Sequence, residues 1–402
     1  MISVEEARTR IVGSLQPLAA ETVAVSAAAG RVLAEDVIAR RTQPPVAVSA
    51  MDGWAVRAAD VAKVPATLIE VGAAPAGGAY DGAVGAGEAV RIFTGGPLPR
   101  GADCIVIQED VDAAGKKITI RESSTVGRHI RVAGLDFKVG DVRLQAGRRL
   151  TPADIGLAAA MDVPWLQVRR KPRIALLATG NELVRPGEPV GPNQIVSSNA
   201  LALAALIEGN GGEAVDLGIA RDERDSLLAM AAGARSTDML ITLGGASVGE
   251  HDLVQKVLGE RGLVLDFWRI AMRPGKPLMF GTMGTIPLLG LPGNPVSSLV
   301  CGLLFVLPAL RRLLGMTDER QPRSTARLGR DLPGNDQRQD YLRVALRRDA
   351  EGNAIVTPFE VQDSSMLSPL AAADCLLLRA PRAPAAKAGE TVEIMLLGPY
   401  GI

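Results

Sequence analysis

The sequence predicts a multidomain α/β protein. Its parts are a central domain with a mostly parallel sheet, a β-rich inserted module, a small helical and extended linking domain, and a C-terminal β-barrel-like domain. Three observations lead there. The chain has 402 residues, whereas one domain usually takes about 150. From Arg173 a strand, loop, helix alternation repeats, the pattern of a parallel sheet wound with helices. Before and after it, at 43–147 and beyond Pro322, short Val- and Ile-rich runs lie between glycines and prolines.

The elements follow in order. Ser3 and Glu6 form a capping box ahead of an apolar-periodic run to about Leu15, so the chain opens with a helix. Short strands are expected at 89–94, 105–108 and 117–121. Thr151 before Pro152 starts a helix over 153–160 that is expected to pack back on the first one. Lys171-Pro172 marks a boundary. Strands at 174–178, 213–217 and 239–243 then alternate with helices at 199–208, 223–234 and 253–261, and a strand at 286–290 and a helix at 296–314 close the unit. After Gln321-Pro322 only short strands remain, at 341–346, 354–357, 375–378 and 391–396, which suits a small barrel or sandwich. The domains expected are 1–42 with 141–170 (linking), 43–140 (β-rich), 171–318 (α/β) and 319–402 (C-terminal β).

Composition removes whole classes of function. Lys plus Arg and Asp plus Glu both number 44, so the long-range field that draws proteins onto nucleic acid is missing. Aromatic residues make up 3%, too few for base-stacking platforms. The longest apolar run, 299–310, is 12 residues and contains Pro308, short of the roughly 20 that a membrane span needs. The N-terminus carries acids where a signal peptide has basic residues, so a cytoplasmic protein is expected. Cys104, Cys301 and Cys375 lie far apart without a CxxC pair and read as buried thiols. With His129 and His251 as the only histidines, a multi-His metal centre is excluded, and any metal must be held by oxygen.

Ligands of open parallel sheets bind beyond the carboxyl ends of the strands, so the loops there are the place to look. Each of three carries a carboxylate: Thr179-Gly180-Asn181-Glu182, Ile219-Ala220-Arg221-Asp222, and the run from Gly244 and Gly245 through Ser247 and Gly249 to Asp252. The third has glycines and a serine ahead of a helix, which suits a phosphate cradle or a ligand-free turn; it is neither a P-loop nor a dinucleotide fingerprint. Arg269, Arg273 and Lys276 sit on a segment stiffened by Pro274 and Pro277, and rigid cations suit oxyanions. Pro292-Gly293-Asn294-Pro295 opens the apolar helix, with Asn294 able to cap it and Ser297 able to add a hydroxyl. In the β-rich module two turns stand out, around Asp52-Gly53 and Thr94-Gly95-Gly96-Pro97. Asp136 is a further isolated acid there.

Five motifs in order, Ser49–Ala55, Thr94–Asp103, Gly244–Asp252, Arg273–Pro277 and Leu291–Ser297, resemble those of MoeA-type molybdopterin molybdenumtransferases, the family that includes the E domains of gephyrin. The resemblance runs end to end. It implies a MogA-like central domain and a reaction that converts adenylylated molybdopterin and molybdate to molybdenum cofactor and AMP with Mg²⁺. Arg273, Lys276, Pro277, Ser297, Arg343 and Ser364 match the positions that bind molybdate. Glu182, Asp222 and Asp252 match those that hold Mg²⁺ and act in catalysis, with Asp52 and Asp136 reaching across a dimer partner. Thr94, Gly244, Gly245, Ser247, Gly249, Arg269, Pro292 and Asn294 match the positions around the pterin substrate. Arg269 and Arg273 stand where lysine is commoner. The resemblance also implies a homodimer with transient contacts to the adenylyltransferase and to recipient molybdoenzymes, and neither nucleic acid nor membrane as partner. Two other readings remain at this point: a molybdopterin adenylyltransferase, and a non-catalytic gephyrin-like scaffold.

Overall fold

A computed structural model of the chain describes residues 1–245, 253–317 and 323–398. The central domain is built on a six-stranded sheet in the order Glu213–Ala220, Arg173–Thr179, Met239–Leu243, Ile286–Leu291, Met279–Met283, Leu263–Trp268. The first four strands run parallel and the last two are antiparallel additions. Arg173–Thr179 and Met239–Leu243 are almost entirely buried, as expected of strands covered by helices on both faces. The two antiparallel strands were not foreseen, because their residues adjoin the Pro- and Arg-rich segment that reads as a loop.

One face of this sheet is covered by Pro295–Leu313, a 19-residue helix buried over 89% of its apolar window. It is longer than its 12-residue apolar run, because Ser297, Ser298 and the Arg311-Arg312 pair extend it. Its length and composition would suffice for a membrane, but its burial makes it a core helix. A π-helical turn at Gly302–Val306 interrupts it. Gly302 lies there against Asn199–Gly209, and a Cβ on it would come within 2.7 Å of Leu203 Cδ2.

The first helix, Val4–Gly13, is capped by Ser3, whose hydroxyl accepts the Glu6 N–H at 3.1 Å. Val4, Ala7 and Ile11 join the core of the central domain, against Leu307–Leu313. The expected packing with the 153–160 helix does not occur. That helix, Pro152–Ala160, carries the full capping box, made by Thr151 and Asp154. It belongs to a separate small core with Leu33, Val37, Phe137, Leu144 and Leu166. Ala20–Ala24 pairs there with Trp165–Arg169, and Val37–Ile38 with Val142–Leu144.

The β-rich module holds a second six-stranded sheet: Cys104–Ile107, Gly53–Val56, Glu88–Ile92, Ala66–Ala74, Lys117–Ile120, Val111–Ala114. At the other end of the chain, Gln339–Arg348, Ala354–Pro358, Arg323–Leu328, Thr391–Leu396 and Cys375–Arg379 pair in a ring, closed by pairing of the last with the first. Closure leaves this barrel no free edge in the ring. Met272–Arg273 pairs with Gln339 and Asp340 of the barrel and so ties it to the central domain. All three cysteines are buried free thiols, and burial pushes Cys104 up to about 11 and Cys375 up to about 12.

Candidate active site

The carboxyl ends of the four parallel strands open into a cleft of about 1370 Å³ whose opposite wall is formed by the barrel. Glu182, Asp222, Gly244, Gly245, Arg273, Lys276, Pro277, Pro292, Asn294, Ser297 and Ser364 all line it. The 273–277 segment and two of the acidic loops therefore face one space.

On the acidic side, the Asn181 N–H donates to Asp222 Oδ2 at 3.3 Å, and the Asp222 N–H donates to Asn181 Oδ1 at 3.2 Å. This reciprocal pair locks two strand-end loops together. Gly180 has φ +146°, and a Cβ there would fall 2.5 Å from the Glu182 carboxylate; glycine lets that carboxylate fold back over its own turn. Gly244 and Gly245 both have positive φ, and a Cβ on the second would lie 2.3 Å from Val254 Cγ2. Two successive left-handed residues at so close an approach require glycine. Ser247, Gly249 and Asp252 lie outside the described residues.

On the cationic side, the Ile270 and Leu278 N–H groups both donate to the Lys276 carbonyl, at 3.1 and 3.0 Å, which closes the turn. Gly275 has φ +113°, with the Cys301 thiol only 2.7 Å from where a Cβ would sit. Lys276 is exposed and has no ion-pair partner among the described residues. Arg273 is different: its Nε and Nη2 donate to Asp340 Oδ1 and Oδ2 at 3.0 and 2.7 Å, a fork on a buried carboxylate. Arg269 is absent from the cleft wall. Its backbone is left-handed, with φ +74°, and its guanidinium stacks 4.3 Å from the Trp268 ring centre.

The start of the Pro295–Leu313 helix forms the floor. Asn294 occupies the cap position but does not cap. Its Nδ2 instead donates to Ser364 Oγ at 2.8 Å, and the Val296 N–H donates to the Ser364 carbonyl at 3.0 Å. Ser298 Oγ donates to the Pro292 carbonyl at 2.6 Å. Because Ser364 Oγ accepts from Asn294, its own O–H proton is free to donate into the cleft. Ser297 is 4% exposed and lines the wall.

Arg343 does not reach the cleft wall. It is 2% exposed, and its Nε and Nη1 donate to Gln362 Oε1 and the Met366 carbonyl at 3.2 and 3.0 Å, behind the loop that carries Ser364. Burial lowers its pKa from the ordinary value. Asp52, Thr94 and Asp136, in the β-rich half of the chain, also stand away from this cleft. Asp52 accepts the Thr94 N–H at 2.7 Å and its hydroxyl at 2.8 Å, which holds its carboxyl below the usual range. The Asp136 N–H donates to the Gln43 carbonyl.

Three charged wall residues lie outside the expected site set: Lys256, Asp363 and Arg338. Lys256 follows the glycine-rich run on the Leu253–Gly259 helix, and its position one turn beyond that run was the available signal. Asp363 is held by the Ser365 N–H and hydroxyl, which lower its pKa. The described residues contain no cluster of three or more His, Cys, Asp or Glu donors.

The chain matches three family models: "MoeA N-terminal region (domain I and II)" over residues 2–161, "Probable molybdopterin binding domain" over 175–312, and "MoeA C-terminal region (domain IV)" over 325–397. It is similar to a molybdopterin molybdenumtransferase of Haemophilus influenzae, 34% identical over 98% of both chains. A Bacillus subtilis protein of the same name is 32% identical over 98% of this chain and 94% of its own. Among solved structures, a molybdopterin biosynthesis MoeA protein of Pyrococcus horikoshii superposes with a TM-score of 0.86 at 27% identity, covering 99% of this chain and 100% of that one.

Proposed function

The chain belongs to the MoeA family, and from that premise we propose that it works as a molybdopterin molybdenumtransferase in the last step of molybdenum cofactor biosynthesis. The observation that carries this reading is one cleft shared by Glu182 and Asp222 on one side and Lys276, Ser297 and Ser364 on the other.

Molybdate is a compact tetrahedral dianion. In this reading the Lys276 ammonium supplies the charge that attracts it, and the Ser297 and Ser364 hydroxyls donate to its oxygens. Pro277 and Pro292 keep the two turns rigid around it, and Asn294 holds the Ser364 hydroxyl in place. Arg273 is anchored by Asp340 and contributes chiefly by fixing the turn. Arg343 acts through Gln362, which orients the Ser364 loop.

The second substrate is adenylylated molybdopterin. Its phosphates lie toward Gly244 and Gly245, which line the cleft in left-handed backbone packed tightly on Thr179 and Val254, and Ser247, Gly249 and Asp252 of the same motif follow in sequence. Glu182 and Asp222 would hold Mg²⁺, which takes one or two protein carboxylates and completes its shell with water and phosphate oxygen. Once bound, that ion would neutralise charge building up on the phosphoanhydride as AMP leaves. The reciprocal lock between Asn181 and Asp222 keeps the acidic wall from rearranging as charge develops, a form of electrostatic preorganisation.

Asp52, Asp136 and Thr94 enter this scheme from a second copy of the chain, in a cytoplasmic homodimer. Purified protein is expected to release AMP from adenylylated molybdopterin when molybdate is added, and to leave ATP intact when given molybdopterin alone. Consumption of ATP with the second mixture would make it an adenylyltransferase instead.

A further inference from the structure

A second cavity, of about 520 Å³, lies beside the cleft at the barrel and shares Arg273, Pro274 and Gln362 with it. Two of its arginines are deeply buried, Arg343 at 2% and Arg379 at 6% exposure. Arg343 donates to an amide oxygen and a carbonyl, and Arg379 Nη2 donates to the carbonyls of Pro333, Ala383 and Pro384. Neither has a carboxylate partner within hydrogen-bond reach among the described residues. A third, Arg330, donates Nη2 to the Phe359 carbonyl at 3.0 Å, while its buried Nε has no partner.

Burying a guanidinium without a counter-ion is strongly unfavourable. The nearby carboxylates relieve it only in part: Asp363 attracts Arg343 without a hydrogen bond to it and is held by Ser365, Asp331 is paired with Lys387, Asp340 with Arg273, and Glu360 is exposed. The rest of the lining includes Leu332, Pro333 and Phe359, and the volume falls in the range of small-molecule sites, about 300–1,000 Å³. It exceeds what a bare tetrahedral oxyanion fills.

We infer that this cavity binds a small organic anion, its carboxylate or phosphate group among Arg330, Arg343 and Arg379 and its body against Leu332, Pro333 and Phe359. Because Arg343 also holds Gln362, the occupant touches the support of the Ser364 loop without entering the cleft.

Calorimetric titration of the full-length protein with citrate and with glycerol 3-phosphate tests this, with sulfate as the bare oxyanion. At least one organic anion is expected to bind with one site per chain and more tightly than sulfate, and the two arms report which headgroup is preferred. Arg379→Gln is expected to weaken that binding tenfold or more. Arg330→Gln, at a half-exposed position that tolerates change, is expected to do the same and carries the test if the buried variant does not fold. Lys276→Ala, in the cleft, is expected to leave it unchanged. The inference is overturned if neither organic anion binds, if sulfate binds as tightly, if binding survives the arginine changes, or if Lys276→Ala removes it.

Discussion

Arg273 and Lys276 lie three positions apart on one turn, yet only the lysine keeps its charge available. The Asp340 carboxylate that engages Arg273 is buried and lies 67 residues away in the barrel. Such a pairing has no local signature, so the sequence pattern could show three cations but not which of them was already engaged. A lysine at 273 could not fork onto both carboxylate oxygens. Arg273→Lys is therefore expected to destabilise the protein by about 1–2 kcal/mol, seen as a lower midpoint in thermal unfolding. Lys276→Ala is expected to raise the KM for molybdate by about tenfold or more, the loss of one charge-assisted contact, with an unchanged circular dichroism spectrum. Asp336 offers a pH test. Hydrogen bonds from Arg338 lower its pKa to about 2. A depressed carboxylate stabilises the fold above its unfolded pKa, and that contribution fades as pH falls through the folded value. The Asp336–Arg338 contact should thus persist through the ordinary carboxylate range and be lost only as pH approaches 2, as a carboxyl-carbon NMR titration would record.

Element by element, the parallel strands and their helices were legible because burial on both faces leaves continuous apolar runs of strand length. The unforeseen strands, Leu263–Trp268 and Met279–Met283, gain their place from pairing with a neighbour rather than from their own pattern. Caps divide the same way. Thr151 and Asp154 are local partners three residues apart, whereas Asn294 gives up its cap for Ser364 of the barrel side, a choice made by tertiary contact. The π turn at Gly302–Val306 lies just ahead of Pro308, which cannot donate a helical hydrogen bond, and Leu203 and Leu206 press against the helix at Gly302. Gly302→Ala is expected to cost about 1–3 kcal/mol through overpacking, measurable as a lower urea midpoint with unchanged slope.

For the whole molecule, Asp52, Asp136 and Thr94 are the site residues of the β-rich half, which one chain does not bring to its own cleft, and in the proposed dimer they come from its partner. Two inactive variants, Asp52→Ala and Glu182→Ala, should then complement each other. After mixing, unfolding and refolding in equal amounts, half of the dimers are mixed and each has one intact site of two, giving about one quarter of normal activity. Recovery near zero would place both residues in the same site of one chain. The path of the chain itself has another consequence. Val4–Gly13 is embedded in the central core, Ile2 bridges to Ile270, the Leu18 N–H donates to the Leu313 carbonyl, and the chain returns through Trp165–Arg169 beside Ala20–Ala24. The β-rich half is thus a loop with both feet planted on the same bank. A protease nick within that loop should leave two fragments that still migrate together under native conditions, and any swing of the module must turn about the paired ribbon at its base rather than trail from a single tether.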